Sequence, residues 1–334
     1  MKYVLAPLAG FTDGPFRRLC FECGADLAYT EMVSAAGLAH GSSPTRHLME
    51  VMPGEGPVAC QLFGAKEDEL ALSARLCDEL SRAGRPDGAG PHFVELNLNA
   101  GCPMTKVTCC GAGAKLVEDP EKVHRLLAAM TRETSLPVTL KTRLGPRPDR
   151  TRIFELLDAA ERAGAKGIAV HARYTSQLHG GPVHLDLLAE VVARARIPVT
   201  GNGSVVDRAT ADAMAETGVA ALMIGRAALA NPGIFAALKA TGRTDVLPTA
   251  DEGVDWFRRH LEYVLSFRDR LAANFPDDHV PSPDGYASVK MHTHLFRYFN
   301  GRPGAAALRA RLNRVRTLRE LHEAVAAVQR SAVA

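Results

Sequence analysis

The chain has 334 residues, 40 Lys plus Arg against 37 Asp plus Glu, 46% hydrophobic residues and seven cysteines. Such a composition excludes a disulfide-stapled miniprotein and a disordered tail, and no apolar run reaches the ~18 residues of a membrane span. The cysteines follow no extracellular framework and the opening Met1-Lys2-Tyr3-Val4-Leu5 reads as a strand, not a signal peptide, so a cytoplasmic protein with reduced thiols and no membrane contact is expected. The net charge of +3 is unevenly placed: residues 246–334 hold 13 basic and 10 acidic residues, and the preceding 245 balance. Within residues 290–330, nine basic residues stand against Glu320 and Glu323 alone.

Up to residue 226 the chain alternates short β-rich runs with longer helical patterns. The strand candidates are Tyr3–Ala6, Leu27–Thr30, Val58–Leu62, Phe93–Leu96, Pro137–Leu140, Gly167–Val170, Pro198–Thr200 and Ala221–Ile224. Helical patterns include Glu67–Arg82, Pro120–Thr131, Thr151–Ala163, Val183–Ala195 and Asp207–Thr217, with Asp119-Pro120 as an N-cap and first helical position. Eight β-then-α units predict a (β/α)₈ TIM barrel. A doubly wound sheet is disfavoured because no Gly-x-Gly-x-x-Gly turn follows the first strand. Beyond a Pro/Gly-bearing linker over residues 241–252, Trp256–Leu271, Ala287–Phe299 and Gly304–Arg316 read as helices. Thr317-Leu318-Arg319-Glu320 then opens a last helix whose Leu318, Leu321 and Val325 share a face. The chain therefore ends in a small all-α bundle.

A barrel places its chemistry where its strands end, and the strand ends here are polar. In order they offer Pro7, Leu8 and Ala9, then Glu31, Gln61, Asn99 with Gly101-Cys102-Pro103, Lys141 with Arg143, His171 with Arg173, Asn202-Gly203, and Gly225-Arg226. Glycine-bearing loops after strands seven and eight suit a phosphate, so a phosphorylated cofactor such as FMN is expected in the mouth. Lys141 would set a positive charge near the pyrimidine edge of its ring, and Gln61 can donate and accept along that edge. No dinucleotide fingerprint appears, so any nicotinamide cofactor, NADPH or NADH, would visit rather than reside. Cys102, largely protonated at neutral pH, is a candidate proton donor. No metal is expected: Cys20-x-x-Cys23 lacks a second pair at zinc spacing, and His292 and His294, two apart, do not face one ion.

These motifs together resemble the dihydrouridine synthase family, flavoenzymes that reduce uridines in tRNA. The likeness runs through Ala6-Pro7-Leu8-Ala9-Gly10-Phe11-Thr12-Asp13, Gln61-Leu62-Phe63-Gly64, Asn97-x-Asn99-x-Gly101-Cys102-Pro103, Lys141-Thr142-Arg143, Gly201-Asn202-Gly203 and Gly225-Arg226. Lys290-x-His292 and Arg302-Pro303-Gly304 extend it into the helical region. The resemblance implies Cys102 as general acid and flavin contacts at Pro7, Leu8, Ala9, Gln61, Lys141, His171, Asn202, Gly203, Gly225 and Arg226. It implies RNA contacts at Asn99 and Arg143, with Arg173, Lys290, Arg309 and Arg316 as further substrate or tRNA contacts. Residues 1–240 would then be a catalytic barrel and residues 253–334 a tRNA-binding domain, in a monomer. The loop His171-Ala172-Arg173-Tyr174 departs from the family's usual His-x-Arg-Thr and bears on which uridine is chosen. Two rivals stand beside this reading: an FMN-dependent barrel dehydrogenase for a free pyrimidine-like molecule, and a flavin-free RNA-binding protein.

Overall fold

The computed structural model describes residues 1–84, 92–240, 249–299, 310–312 and 314–333. Eight parallel strands close a barrel in sequence order: β1 (Lys2–Leu5), β2 (Leu27–Ser34), β3 (Val58–Phe63), β4 (Phe93–Ala100), β5 (Val138–Arg143), β6 (Ile168–His171), β7 (Val199–Asn202) and β8 (Ala221–Ile224). β8 returns to β1 with Ile224 opposite Leu5, so no strand edge is left open. Around it run α1 (Gly14–Glu22), α2 (Ala35–Ala39), α3 (Ser43–His47), α4 (Glu67–Ala83), α5 (Thr105–Thr108), α6 (Pro120–Glu133), α7 (Ile153–Arg162), α8 (Leu185–Arg194), α9 (Arg208–Ala215), α10 (Arg226–Ala230) and α11 (Ile234–Lys239). Asp119 caps α6 as expected, its carboxylate accepting the Lys122 N–H with Pro120 in the first turn.

The expected (β/α)₈ fold is therefore present, but several strands run further than the sequence suggested. β4 continues from Leu96 to Ala100, β5 to Arg143 and β2 to Ser34. Asn, Lys and Arg have low strand propensity, so these ends read as loop. In the barrel Asn97 pairs with Thr139 and Asn99 with Lys141, and the ladder fixes backbones that propensity alone would not.

The chain continues into α12 (Ala250–Asn274), α13 (Pro283–Tyr298) and α14 (Leu318–Val333). α12 begins inside the expected linker. Thr249 Oγ1 accepts the Glu252 N–H and the Glu252 carboxylate accepts the Thr249 N–H, so residues 250–252 form its first turn; residues 241–248 lie outside the described residues. The Thr317/Glu320 capping box of α14 is formed. Most of the helix expected over Gly304–Arg316 lies outside the described residues, as does Arg302-Pro303-Gly304; Arg314 is in a turn and Arg316 lies in the segment before α14.

These helices share an apolar core with the barrel wall. Leu19 and Cys23, at the end of α1, pack with Trp256, Phe257, Met291 and Leu321. Above that core, Glu22 accepts from Tyr263 Oη at 2.6 Å and from Arg259 at 3.1 Å. No helix among the described residues is long and apolar enough to cross a membrane.

Candidate active site

Along β4, Glu95, Asn97 and Asn99 recur every second residue, which puts them on one face of the strand. A chain of hydrogen bonds climbs from them to the barrel mouth. Glu95 Oε1 accepts from Tyr29 Oη and Thr139 Oγ1, both at 2.6 Å. Thr139 Oγ1 accepts from Asn97 Nδ2 at 2.7 Å, and Asn97 Oδ1 accepts from Gln61 Nε2 at 2.8 Å. Gln61 Oε1 then accepts from Asn99 Nδ2 at 2.8 Å, and Asn99 Oδ1 accepts the N–H groups of Gly101 at 3.1 Å and Cys102 at 3.0 Å. Burial holds the Glu95 carboxyl above its usual range in spite of the Thr139 and Tyr29 bonds. The backbone of Cys102 is thus tied to the barrel floor through five side chains.

Two further ties shape the cysteine loop. Ala114 N–H donates to Cys102 O at 2.8 Å, and Arg143 Nε donates to Gly101 O at 2.8 Å. Gly113, at φ +59°, is required there: a Cβ would lie 2.6 Å from Cys102 O. Cys102 itself is half-buried and borders a cavity of ≈ 540 Å³ at the barrel mouth. All ten residues expected to hold the cofactor border the same cavity, as do Asn99 and Arg143. All eight strands bring a residue to it, directly or through the loop that follows.

The cavity is electrostatically positive. Lys141 Nζ lies 3.2 Å from Asn202 Oδ1, and burial, with neighbouring Arg143, pulls its ammonium down to about 8. Burial likewise lowers Arg143 to about 10. Burial first, and then Lys141 and Arg143, push His171 down to about 2, so its imidazole is neutral. His171 Nδ1 and Arg173 Nη1 are buried with no hydrogen-bond partner among the described residues. Both side chains approach Gly203 (φ +127°), where a Cβ would lie 3.7 Å from Arg173 Nη1 and from His171 Nε2, and 3.0 Å from Val183 Cγ1. Arg173 Nη1, a buried donor without an acceptor beside a bare glycine backbone, fits a bound oxyanion such as a phosphate. Arg173, expected among the tRNA contacts, sits at this end, bonded to Gly181 O and Ser204 Oγ, both at 2.7 Å.

A family model described as dihydrouridine synthase (Dus) matches residues 4–333. The chain belongs to the dihydrouridine synthase family. It is 32% identical over 320 residues to tRNA-dihydrouridine synthase B of Xanthomonas axonopodis pv. citri, covering 95% of this chain and 89% of that protein. It is 34% identical over 272 residues to a probable tRNA-dihydrouridine synthase of Rhodobacter capsulatus, covering 80% and 81% of the two chains. With tRNA-dihydrouridine synthase B of Escherichia coli K12 the identity is 34% over 235 residues, 70% of each chain.

Lys290 is not at the cavity: its ammonium is 3.0 Å from Asp13 Oδ2, in the loop between β1 and α1. Arg309 lies outside the described residues, and Arg316, exposed before α14, donates from Nη1 to Val315 O at 2.8 Å.

The sequence reading missed Asp13, Glu31 as a backbone anchor, and His179. Glu31 Oε2 accepts the Gly10 N–H, fixing the loop that carries Pro7, Leu8 and Ala9. His179 borders the cavity, and its carbonyl accepts from Arg226 Nη2 at 3.3 Å. Asp13 closes the opening motif and stands at an N-cap position before Gly14-Pro15, but neither signal pointed to Lys290. For His179 there was none, because it comes from a loop whose path depends on Arg143 and Arg226.

Proposed function

We propose that the chain is a tRNA-dihydrouridine synthase: it reduces the C5=C6 bond of a uridine in tRNA, with FMN held in the barrel mouth and NADPH or NADH as the reductant that visits it. The observation that carries this reading is the common cavity of Cys102, Lys141, Arg143 and the glycine loops of β7 and β8. Gly203, Gly225, Arg226, His171 and Arg173 would hold the phosphate end of FMN, and Pro7 to Ala9, Gln61, Lys141 and Asn202 the remainder. When bound, FMN supplies the hydride that reduces the double bond.

The other tasks fall to the chain. Cys102 delivers the proton that balances the hydride, from Sγ to C5 of the uracil ring. Asn99 holds the Cys102 backbone and so fixes where that thiol stands. Asn99 Nδ2 keeps a second N–H and Arg143 keeps Nη2 beyond its bonds to Gly101, Tyr174 and Leu178, so these groups can polarise the uracil carbonyls as negative charge develops there. A uridine stacked in tRNA does not reach a barrel mouth, so it must leave the stack to react. The basic residues after Lys290 are proposed to grip the tRNA while this happens.

Mass analysis of an unmodified tRNA transcript after incubation with protein, FMN and NADPH tests the reading. A two-hydrogen gain mapped to one uridine is expected. A colourless protein that leaves tRNA unchanged, or one that reduces only free pyrimidines, overturns it.

A further inference from the structure

The loop after β6, where this chain departs from the family's usual motif, forms a strap at the edge of the cavity, tied at two points. Arg143, at the end of β5, donates from Nη1 to Leu178 O at 2.7 Å. Arg226, after β8, donates to His179 O at 3.3 Å. The strap is braced from within: Gln177 Oε1 accepts the Tyr174 N–H at 2.8 Å, and Gln177 Nε2 donates to Pro182 O at 3.1 Å. His179 turns inward and borders the cavity. Leu178 does the opposite and is 56% exposed.

Two features of Leu178 call for an explanation. Its φ is +52° and its ψ −99°, a left-handed conformation that a branched aliphatic residue rarely adopts and that glycine would adopt freely. Its side chain also points to water, so no packing among the described residues accounts for a leucine there. Strain held in place by surrounding hydrogen bonds is a mark of functional segments. Leu178 is not alone: Met104, 63% exposed in the cysteine loop, and Val206, 52% exposed after β7, border the same cavity. Three loops therefore raise apolar tips near a mouth whose bordering charged residues, Lys141, Arg143 and Arg226, are all cationic.

We propose that Leu178 is an apolar wedge that meets the tRNA bases next to the extruded uridine, occupying the stacking position the uridine leaves. Cationic walls attract the phosphates, whereas a leucine tip suits the flat face of an unstacked base; aliphatic side chains play this part when proteins unstack a duplex. The strap's two arginine ties hold the wedge above the cavity, and Met104 and Val206 flank it. The inference rests on the proposed function and adds the residue that favours the extruded state.

The test uses the full chain with FMN and a tRNA transcript carrying 2-aminopurine beside the uridine that mass mapping identifies. Binding of the parent is expected to raise 2-aminopurine fluorescence as the base unstacks. Leu178→Gly keeps the strap's backbone conformation and Leu178→Ala keeps its strain. Both are expected to abolish most of that rise and to slow single-turnover tRNA reduction at least tenfold, with FMN content and the rate of flavin reduction by NADPH unchanged. Leu178→Met should restore most of both signals. Parent-like fluorescence and rate in the Gly and Ala variants overturn the wedge. So does a loss of FMN content or of flavin reduction in step with tRNA reduction, since Leu178 would then shape the cofactor cavity or contact the nicotinamide. If the parent forms no dihydrouridine, the proposed function fails first and the wedge with it.

Discussion

Cys102 is held by its backbone, not by its sulfur: Asn99, Ala114 and the shape of Gly113 fix the loop and leave the thiol at the cavity. Cys102→Ala should therefore bind FMN normally and be reduced normally by NADPH. Its tRNA turnover should fall by about 10²-fold or more, the range for loss of a positioned general acid; stopped-flow flavin oxidation by tRNA measures it. Lys141 gives a pH signature. Burial first, then Arg143, lowers its ammonium to about 8, so it keeps its charge at neutral pH and loses it as pH rises through that value. FMN affinity of the flavin-free protein, followed by flavin fluorescence, should weaken by about tenfold on passing into that alkaline range, as expected for losing one charge-assisted bond. Lys141→Gln should bind weakly throughout and show no such step. An unchanged pH dependence in Lys141→Gln would mean that the charge acts elsewhere.

Among the elements, α13 deserves a mechanical reading. Lys290, His294 and Arg297 lie on one side of it and all face the loop between β1 and α1. Lys290 pairs with Asp13, His294 lies edge-on to Phe11 at 5.5 Å, and the Arg297 guanidinium sits 4.9 Å from the Phe11 ring. That loop carries Pro7, Leu8 and Ala9 into the cavity, so α13 braces one wall of the cavity from behind. Burial alone would raise the Asp13 carboxyl, but Lys290, His260 and His294 outweigh it and hold it below the usual carboxylate range. Asp13 in turn raises Lys290. A lowered acid contributes stability that is present above its unfolded-state value and lost as pH falls through its folded one, so the brace is intact at neutral pH and fails only in acid. Lys290→Ala leaves Asp13 buried without its partner and should cost about 3–5 kcal/mol in urea unfolding. The double variant Asp13→Asn/Lys290→Met should recover most of that loss, whereas two unrelated losses would add.

For the whole molecule, the small net charge conceals a division between a balanced barrel chain and a basic C-terminal stretch. Part of that positive charge is engaged internally: Lys290 by Asp13, Arg311 by Glu323 at 3.2 Å. Arg314 and Arg319 stand exposed, the latter 3.8 Å from Glu323 with its side chain 87% accessible. If the helical region grips tRNA phosphates, Arg314→Ala and Arg319→Ala should each weaken tRNA binding without altering FMN binding. Each should also lower the slope of log affinity against log salt by about one. Filter binding over a salt series measures both, and an unchanged slope would place the tRNA elsewhere on the molecule.

The eight-unit barrel, the cysteine loop, the glycine loops after β7 and β8, the capping box at Thr317 and the N-cap at Asp119 were legible in the residues. Each depends on a local rule: hydrophobic period, turn chemistry, or a side chain reaching its own helix. What was not legible depends on partners far apart in the chain. The bonds of Gln61 with Asn97 and Asn99 span β3 to β4, Lys290 meets Asp13 across most of the chain, and the strap holding Leu178 and His179 is placed by one arginine that ends β5 and another that follows β8. Even the strand ends were read short, because Asn99 and Lys141 are extended only as neighbours in the barrel ladder. By itself the sequence determined the fold, the family and the residues gathered at the mouth, since side-chain alternation and turn residues act over a few positions. Only closure of the barrel decided which of those residues hold the others in place and which remain free to meet a ligand, because a polar side chain's role is set by the donors and acceptors that folding brings beside it.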